Sequence, residues 1–292
     1  MRHFRECYNS HPAAMNKDAA TPADHANDQL LGSQEYRVHT GEQEAYDLRS
    51  ALQFNLLTTL GLRDTHYLLD IGCGSLAAGR LFIPYLRPGR YFGIEPLDWL
   101  VQKGIHEELG DSAIEIKKPT FLRDENFSLS AFNRKFDFLL AQSIFSHTTQ
   151  DQLRRCLSEA AKVMKPESVF AASFFEGTSN YEGNEWTVHA DYTMEKMREL
   201  VEGQGLTMRS IQWDHQDLQR WILILHRDTT FQMPELNETA RAVDLTNQLA
   251  RANQQLFSIR SHPYMKLGYK IKFFVMTAQF RLRSIRRALL GR

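Results

Sequence analysis

The sequence is poor in cysteine: 292 residues contain three, Cys7, Cys73 and Cys156, far apart along the chain. They form no CxxC pair and no Cys/His spacing suited to zinc, so neither a disulfide framework nor a metal site is expected. A reduced, cytoplasmic setting fits that usage. Long apolar runs are also missing. A membrane-spanning helix needs roughly 18 consecutive apolar residues, and the longest candidate, Ile271–Met276, is broken by Lys272. The opening stretch MRHFRECYNSHPAAMNKDAA lacks the apolar core of a secretory signal. Net charge is absent as well, with 35 Lys+Arg against 35 Asp+Glu.

That zero conceals a split. Residues 1–230 carry 24 basic and 32 acidic side chains, whereas residues 231–292 carry 11 and 3. The pattern describes an acidic body with a basic appendage that meets something anionic. It argues against a nucleic-acid groove across the body, and no nucleic-acid partner is expected.

Three zones follow. Residues 1–40 are polar and aperiodic at their start, which reads as a flexible or loosely packed segment. Residues 41–230 alternate helical and strand patterns and form the main domain. Residues 231–292 form a helical, basic extension. In the main domain, Tyr46, Leu48, Leu52, Leu56, Leu57 and Leu60 recur at helical spacing, and Gly61 ends the run. Strands are expected at Tyr67–Ile71, Tyr91–Ile94, Ile114–Ile116, Phe136–Gln142, Val169–Phe175, Leu206–Trp213 and Arg220–His226. Helices are expected at Leu76–Leu86, Trp99–Leu109, Asp151–Met164 and Thr193–Glu202. This alternation predicts an α/β fold: a mainly parallel, Rossmann-like doubly wound sheet.

The chemistry concentrates where the first strand turns into the first crossover helix, at Asp70-Ile71-Gly72-Cys73-Gly74. Ligands of open α/β sheets sit at the carboxyl ends of strands, and backbone N–H groups at a helix start hold carboxylates. Glu95 ends the next strand, where a carboxylate can accept both hydroxyls of a ribose. Loop and acid together point to an adenosine-containing ligand. NAD is the rival, but Gly72-x-Gly74 is followed next by Gly79 and so does not match GxGxxG. Asp70 would also repel a pyrophosphate, whereas it would attract a cationic ligand.

Taken in order, YLLDIGCGSLAAGR, YFGIEP, FDFLLAQSIFSH and KVMKPESVFAASFFEG resemble successive motifs of class I S-adenosylmethionine-dependent methyltransferases, over roughly residues 41–226. The resemblance implies a seven-stranded sheet with an antiparallel last strand, and S-adenosylmethionine as cofactor. It implies contacts to the methionine moiety around Asp70, Gly72, Cys73 and Gly74, and to the ribose from Glu95. Adenine contacts would fall at Asp124 and Phe127. Gln142 would line the cofactor or hold its loop. Relatives often carry an arginine after the Gly-Ser-Leu of the first loop; Ala77 stands there in this chain.

Methyl transfer to a hydroxyl needs alignment and a base. His147, just beyond the fourth strand, is the candidate, with a helix-capping or orienting role as the alternative. Tyr181 and Trp186, in the loop 176–190, suit a polar ring by combining stacking with hydrogen bonding; the other reading packs them on the sheet edge.

In the extension, Ala242, Leu245, Leu249, Ala252, Leu256 and Ile259 form a short a/d stripe. Residues 261–292 hold eight Lys+Arg and no acid, with an apolar face from Leu267 to Leu289. Such a helix binds an anionic membrane surface; the alternative is packing on the acidic body or on the mate of a homodimer. Residues 258–269 resemble tails of bacterial enzymes that build cell-surface glycans. The expected activity is therefore O-methylation of a sugar hydroxyl, in a surface glycan or its precursor, by a cytoplasmic protein peripheral to the inner membrane face. The alternatives are a small-molecule methyltransferase of secondary metabolism and a non-catalytic adaptor acting through its tail.

Overall fold

The computed structural model describes residues 35–38, 45–215 and 217–234. The expectations for residues 1–40 and 231–292 therefore lie outside the described residues, apart from 35–38 and 231–234.

A helical turn α1 (Glu35–Val38) and the helix α2 (Tyr46–Thr59) precede the sheet. Then follow β1 (Leu68–Ile71), α3 (Gly79–Tyr85), β2 (Tyr91–Ile94), α4 (Asp98–Gly104), a π-helical turn (Ile105–Leu109), α5 (Asp111–Lys117) and β3 (Thr120–Leu122). The chain continues through a 3₁₀ turn (Leu129–Phe132), β4 (Phe136–Ala141), α6 (Gln150–Val163), β5 (Met164–Glu176), β6 (Asp191–Tyr192), α7 (Met194–Glu202), β7 (Leu206–Ile211) and β8 (Arg220–His226). The sheet order is β3-β2-β1-β4-β5-β8-β7, with two-residue β6 paired to β5 off that path. Strands β1 to β5 run parallel, and β8 is antiparallel to both neighbours. This is the doubly wound sheet with an antiparallel last strand that the sequence predicts.

Side-chain alternation explains both layers. Leu69, Ile71, Leu139 and Ala141 face one core with Leu153, Leu157 and Ala160 of α6 and Met197 and Leu200 of α7. Leu68, Phe138 and Leu140 face the other, with Leu56 and Leu57 of α2 and Phe82 and Ile83 of α3. Burial on both faces requires strands that are apolar throughout. Helix α6 starts at a capping box, in which Thr149 Oγ1 accepts from Gln152 N and Gln152 Oε1 accepts from Thr149 N. Thr193 caps α7 with its hydroxyl alone, which accepts from Lys196 N at 3.1 Å.

Two expectations are corrected. Ile114 and Ile116 lie in α5, not in a strand; the third strand is Thr120–Leu122. An apolar pair spaced by two fits either period when it is short, and the true strand, at the sheet edge, is only partly buried and carries a weak apolar signal. Leu48 is 42 % exposed. The buried face of α2 is instead Tyr46, Arg49, Ser50, Leu52, Gln53, Leu56 and Leu57.

Among the described residues, no helix is long and apolar enough to cross a membrane.

Candidate functional site

The strand order reverses between β1 and β4, and the crevice above such a switch point is where open α/β sheets take ligands. Parallel pairing aligns Ile71 with Ile94, so the residues that follow each strand emerge side by side. Gly72 N and Cys73 N donate to the Ile94 carbonyl at 2.8 and 3.2 Å. Gly72 and Gly74 both adopt positive φ, +71° and +52°, a conformation that is unstrained only for glycine. Gly74 N then donates to Glu95 Oε2 at 3.1 Å, and Leu97 N donates to Glu95 Oε1 at 3.0 Å. The two features singled out in the sequence are in direct contact. Each carboxylate oxygen holds one backbone N–H and retains a lone pair for an incoming hydroxyl.

Cys73 contributes backbone alone. Its thiol is buried in the core beneath the loop, where a β-carbon on Gly93 would stand 2.8 Å from Sγ. Burial raises its pKa well above the ordinary thiol value.

Asp70 is buried below the same turn, and Tyr91 Oη donates to its Oδ2 at 2.7 Å. Burial pushes the Asp70 carboxyl up to about 7; the Tyr91 hydroxyl opposes the rise and the Glu95 charge adds to it. Burial also raises Glu95, against the Leu97 and Gly74 amides. The crevice is therefore a desolvated acidic site in which a cation would be favoured.

A pH dependence follows. The folded Asp70 carboxyl binds its proton below about pH 7, whereas the unfolded one does so only below about pH 4. Between those values the folded state holds more protons, so stability falls as pH rises. The ligand-free protein should be about 1 kcal/mol less stable at pH 8 than at pH 6 from this group alone. Thermal unfolding of wild type and Asp70→Asn at both pH values measures it; an unchanged pH slope in the variant removes Asp70 as its source.

Four of the six non-glycine residues with positive φ among the described residues lie on this edge, Lys118 and Asn133 being the others. Leu76, Phe127, Ser143 and Leu218 have φ of +60°, +55°, +57° and +59°, in the loops after β1, β3 and β4 and before β8. Left-handed backbone at a non-glycine residue is costly and persists only where its surroundings impose it.

Beyond β4, the Gln142 side chain turns toward α2 and the loop before β8. Its amide meets Gln53 Nε2 at 3.4 Å, His215 Nε2 at 3.0 Å and Ser143 Oγ. Gln142 thus links the loop after β4 to α2 and to the loop before β8. His147 is tied to the 176–190 loop: its Nδ1 lies 3.0 Å from the Thr187 carbonyl, and its ring stacks on Trp186 at 5.6 Å and 21°. A carbonyl only accepts, so Nδ1 carries the proton and Nε2 is the basic nitrogen of the neutral ring. Burial lowers the His147 pKa, opposed by the Thr187 and Val188 backbone. Trp186 keeps 38 % exposure. Tyr181 is committed elsewhere. Its hydroxyl donates to the Glu185 carbonyl at 2.9 Å, and its ring covers Gly183, where a β-carbon would stand 2.1 Å from that oxygen. It closes the turn 181–185.

The loop after β3 is similarly self-contained. Asp124 Oδ2 accepts from Asn126 N and Ser128 N at 2.8 and 2.9 Å, and Oδ1 accepts from Ser128 Oγ. Phe127 is 9 % exposed and packed in the core. The sequence expectation gave these two residues the adenine; here Asp124 pivots a turn and the Phe127 ring fills core. A polar cleft of about 490 Å³ lies beside them, between the start of α6 and residues 182–184. Its walls include neither Gly72, Gly74 nor Glu95.

Sequence reading missed the underside of α2. Tyr46, Arg49, Ser50 and Gln53 are buried on one helical face. Tyr46 Oη reaches the Ser75 carbonyl at 3.3 Å, and Arg49 Nε lies 3.6 Å from Asp217 Oδ2. Polar residues at 46, 49, 50 and 53, in phase with leucines at 56, 57 and 60, were the available signal.

No family model matches the chain, and no curated protein matches it. Solved structures do. Magnesium protoporphyrin IX methyltransferase from Synechocystis PCC 6803 with bound SAH is 15 % identical over 77 % of this chain and 99 % of that one, with a TM-score of 0.49. An S-adenosylmethionine-dependent methyltransferase from Clostridium acetobutylicum ATCC 824 is 11 % identical over 70 % and 99 %, with a TM-score of 0.48. Streptomyces venezuelae DesVI is 12 % identical over 72 % and 100 %, also with a TM-score of 0.48.

Proposed function

We propose that the chain is an S-adenosylmethionine-dependent methyltransferase that O-methylates a sugar hydroxyl of a cell-surface glycan or its precursor. One observation carries the cofactor reading: the Gly72–Gly74 turn and the Glu95 carboxylate meet at the carboxyl edge of β1 and β2, above the buried Asp70. The residues fit such a group. Glu95 retains acceptor capacity for ribose hydroxyls, the glycines leave room for close backbone approach, and the carboxyl of Asp70 gains from a neighbouring cation.

S-adenosylmethionine supplies a methyl group that is already activated, so the chain itself must align the acceptor, exclude water and take up a proton. His147 Nε2 is the atom assigned to that proton. The Thr187 carbonyl fixes the tautomer and Trp186 fixes the ring plane. Residues 186–190 run beside the His147 loop, with Thr187 N bonded to the His147 carbonyl and Ala190 N to that of Ser146. Closing this stretch over an acceptor would shield the transfer. The exposed Trp186 supports a sugar acceptor, since an aromatic face stacks on the apolar side of a pyranose while neighbouring polar groups hold its hydroxyls.

Isothermal calorimetry tests the reading. The full chain should bind both S-adenosylmethionine and S-adenosylhomocysteine saturably; binding to neither overturns it. Transfer of labelled methyl into the polysaccharide fraction, rather than into solvent-extractable small molecules, is the expected result for the acceptor.

A further inference from the structure

Of the strained residues on the sheet's carboxyl edge, Ser143 has an identifiable restraint. Its N–H donates to Ser173 Oγ at 2.8 Å, Ser173 Oγ donates to Gln219 Oε1 at 2.8 Å, and Gln219 Nε2 donates to Ser143 Oγ at 2.8 Å. Three residues, one just past β4, one in the carboxyl-terminal half of β5 and one just before β8, close a ring. The register allows it: Ala141 pairs with Ala172, and Ser173 pairs with Trp221, so residue 143, two past the end of β4, and residue 219, just before β8, both come beside residue 173. Ser173 is fully buried and Gln219 is 7 % exposed, so water competes poorly for these bonds and each weighs more than it would at the surface. A primary amide suits the place because it presents an acceptor and a donor side by side.

The ring has a consequence at the glycine turn. With Ser143 left-handed, the Ile144 side chain lies against Gly72, where a β-carbon would stand 2.0 Å from Ile144 Cδ1. Ile144 is thereby a wall of the space above the turn, and His147 lies on the same loop. If Ser143 relaxed to negative φ, Ile144 would leave that position and the loop would change course.

We propose that Gln219 is a positioning residue for the donor site: it holds Ser143 in its left-handed conformation and so sets Ile144 against the glycine turn. The identity of the ligand rests on the methyltransferase reading above; the restraint itself is read from the hydrogen bonds.

The test is S-adenosylhomocysteine affinity of the full chain by calorimetry, with circular dichroism as the folding control. Gln219→Ala should weaken binding about 10-fold or more while the α/β spectrum is kept. Adding Ser143→Gly, which permits positive φ without penalty, should restore at least half of that loss on a logarithmic scale. Loss of a merely space-filling side chain at position 219 would not be recovered by a glycine at 143, which fills no space of its own. Should Gln219→Ala fail to fold, Ser173→Ala, which removes one hydroxyl from the same ring, is read in its place with the same expected loss and rescue. Wild-type affinity in the single variant, or a folded double variant without recovery, overturns the positioning role alone. A wild-type chain that binds neither S-adenosylmethionine nor S-adenosylhomocysteine overturns it together with the methyltransferase reading.

Discussion

Glu95→Ala is expected to weaken S-adenosylhomocysteine binding by at least about 100-fold. A hydrogen bond to a charged acceptor contributes about 1.5–3 kcal/mol, and the carboxylate is placed to take two from a ribose. The sum, about 3–6 kcal/mol, is a factor of about 10² or more. The substitution also leaves Gly74 N without its 3.1 Å acceptor and Leu97 N without its 3.0 Å acceptor, so the turn loosens before any ligand arrives. Glu95→Gln separates these contributions: the amide keeps one acceptor and the shape, and should lose less than the alanine variant. Because burial raises the Glu95 pKa, the ligand-free carboxylate is itself a burden on the fold. The loss of ligand-free thermal stability in the alanine variant should therefore be smaller than the two orphaned amides alone would cause. An alanine variant binding within about 3-fold of wild type would show that the carboxylate serves only its own backbone contacts.

How much of this could be read beforehand follows from what kind of force fixes each part. Strands β1, β2, β4 and β5 are buried on both faces, so burial dictates apolar runs and leaves them plain in the sequence. The glycine turn and Glu95 were legible because the conformation and the charge demand those residue types. The third strand was misplaced because an edge strand needs little burial, and Ile114 and Ile116 sit on a short helix where period two and period 3.6 cannot be told apart. Asp124, Phe127 and Tyr181 were expected to touch ligand from the resemblance or from residue type. Their contacts within the chain, the amides of residues 126 and 128, the core, and the Glu185 carbonyl, are set by loop geometry that carries no period. The ring of Ser143, Ser173 and Gln219 was invisible for a different reason. One member lies in β5 and the others flank β4 and β8, and only the sheet register brings them together.

For His147→Ala we expect turnover to fall about 10²-fold or more, with S-adenosylhomocysteine affinity held within about 3-fold. The base reading rests on the tautomer: with Nδ1 engaged by the Thr187 carbonyl at 3.0 Å, a neutral ring has its lone pair on Nε2. Burial lowers the His147 pKa from its ordinary value of 6.5, so the neutral, proton-accepting form predominates at and above neutral pH. Protonation at lower pH removes the base. Turnover should then rise with pH along a limb centred below 6.5 and stay level above it, and that limb should vanish in the variant. His147→Gln distinguishes a base from a brace. A glutamine can still donate to the Thr187 carbonyl and support the stretch that carries Trp186, but it cannot accept a proton near neutral pH. If histidine serves only to orient that stretch, glutamine should recover most of the turnover and the acid limb should persist in both variants. If it takes the proton, glutamine should be nearly as slow as alanine, because the contact it preserves is not the one the reaction uses.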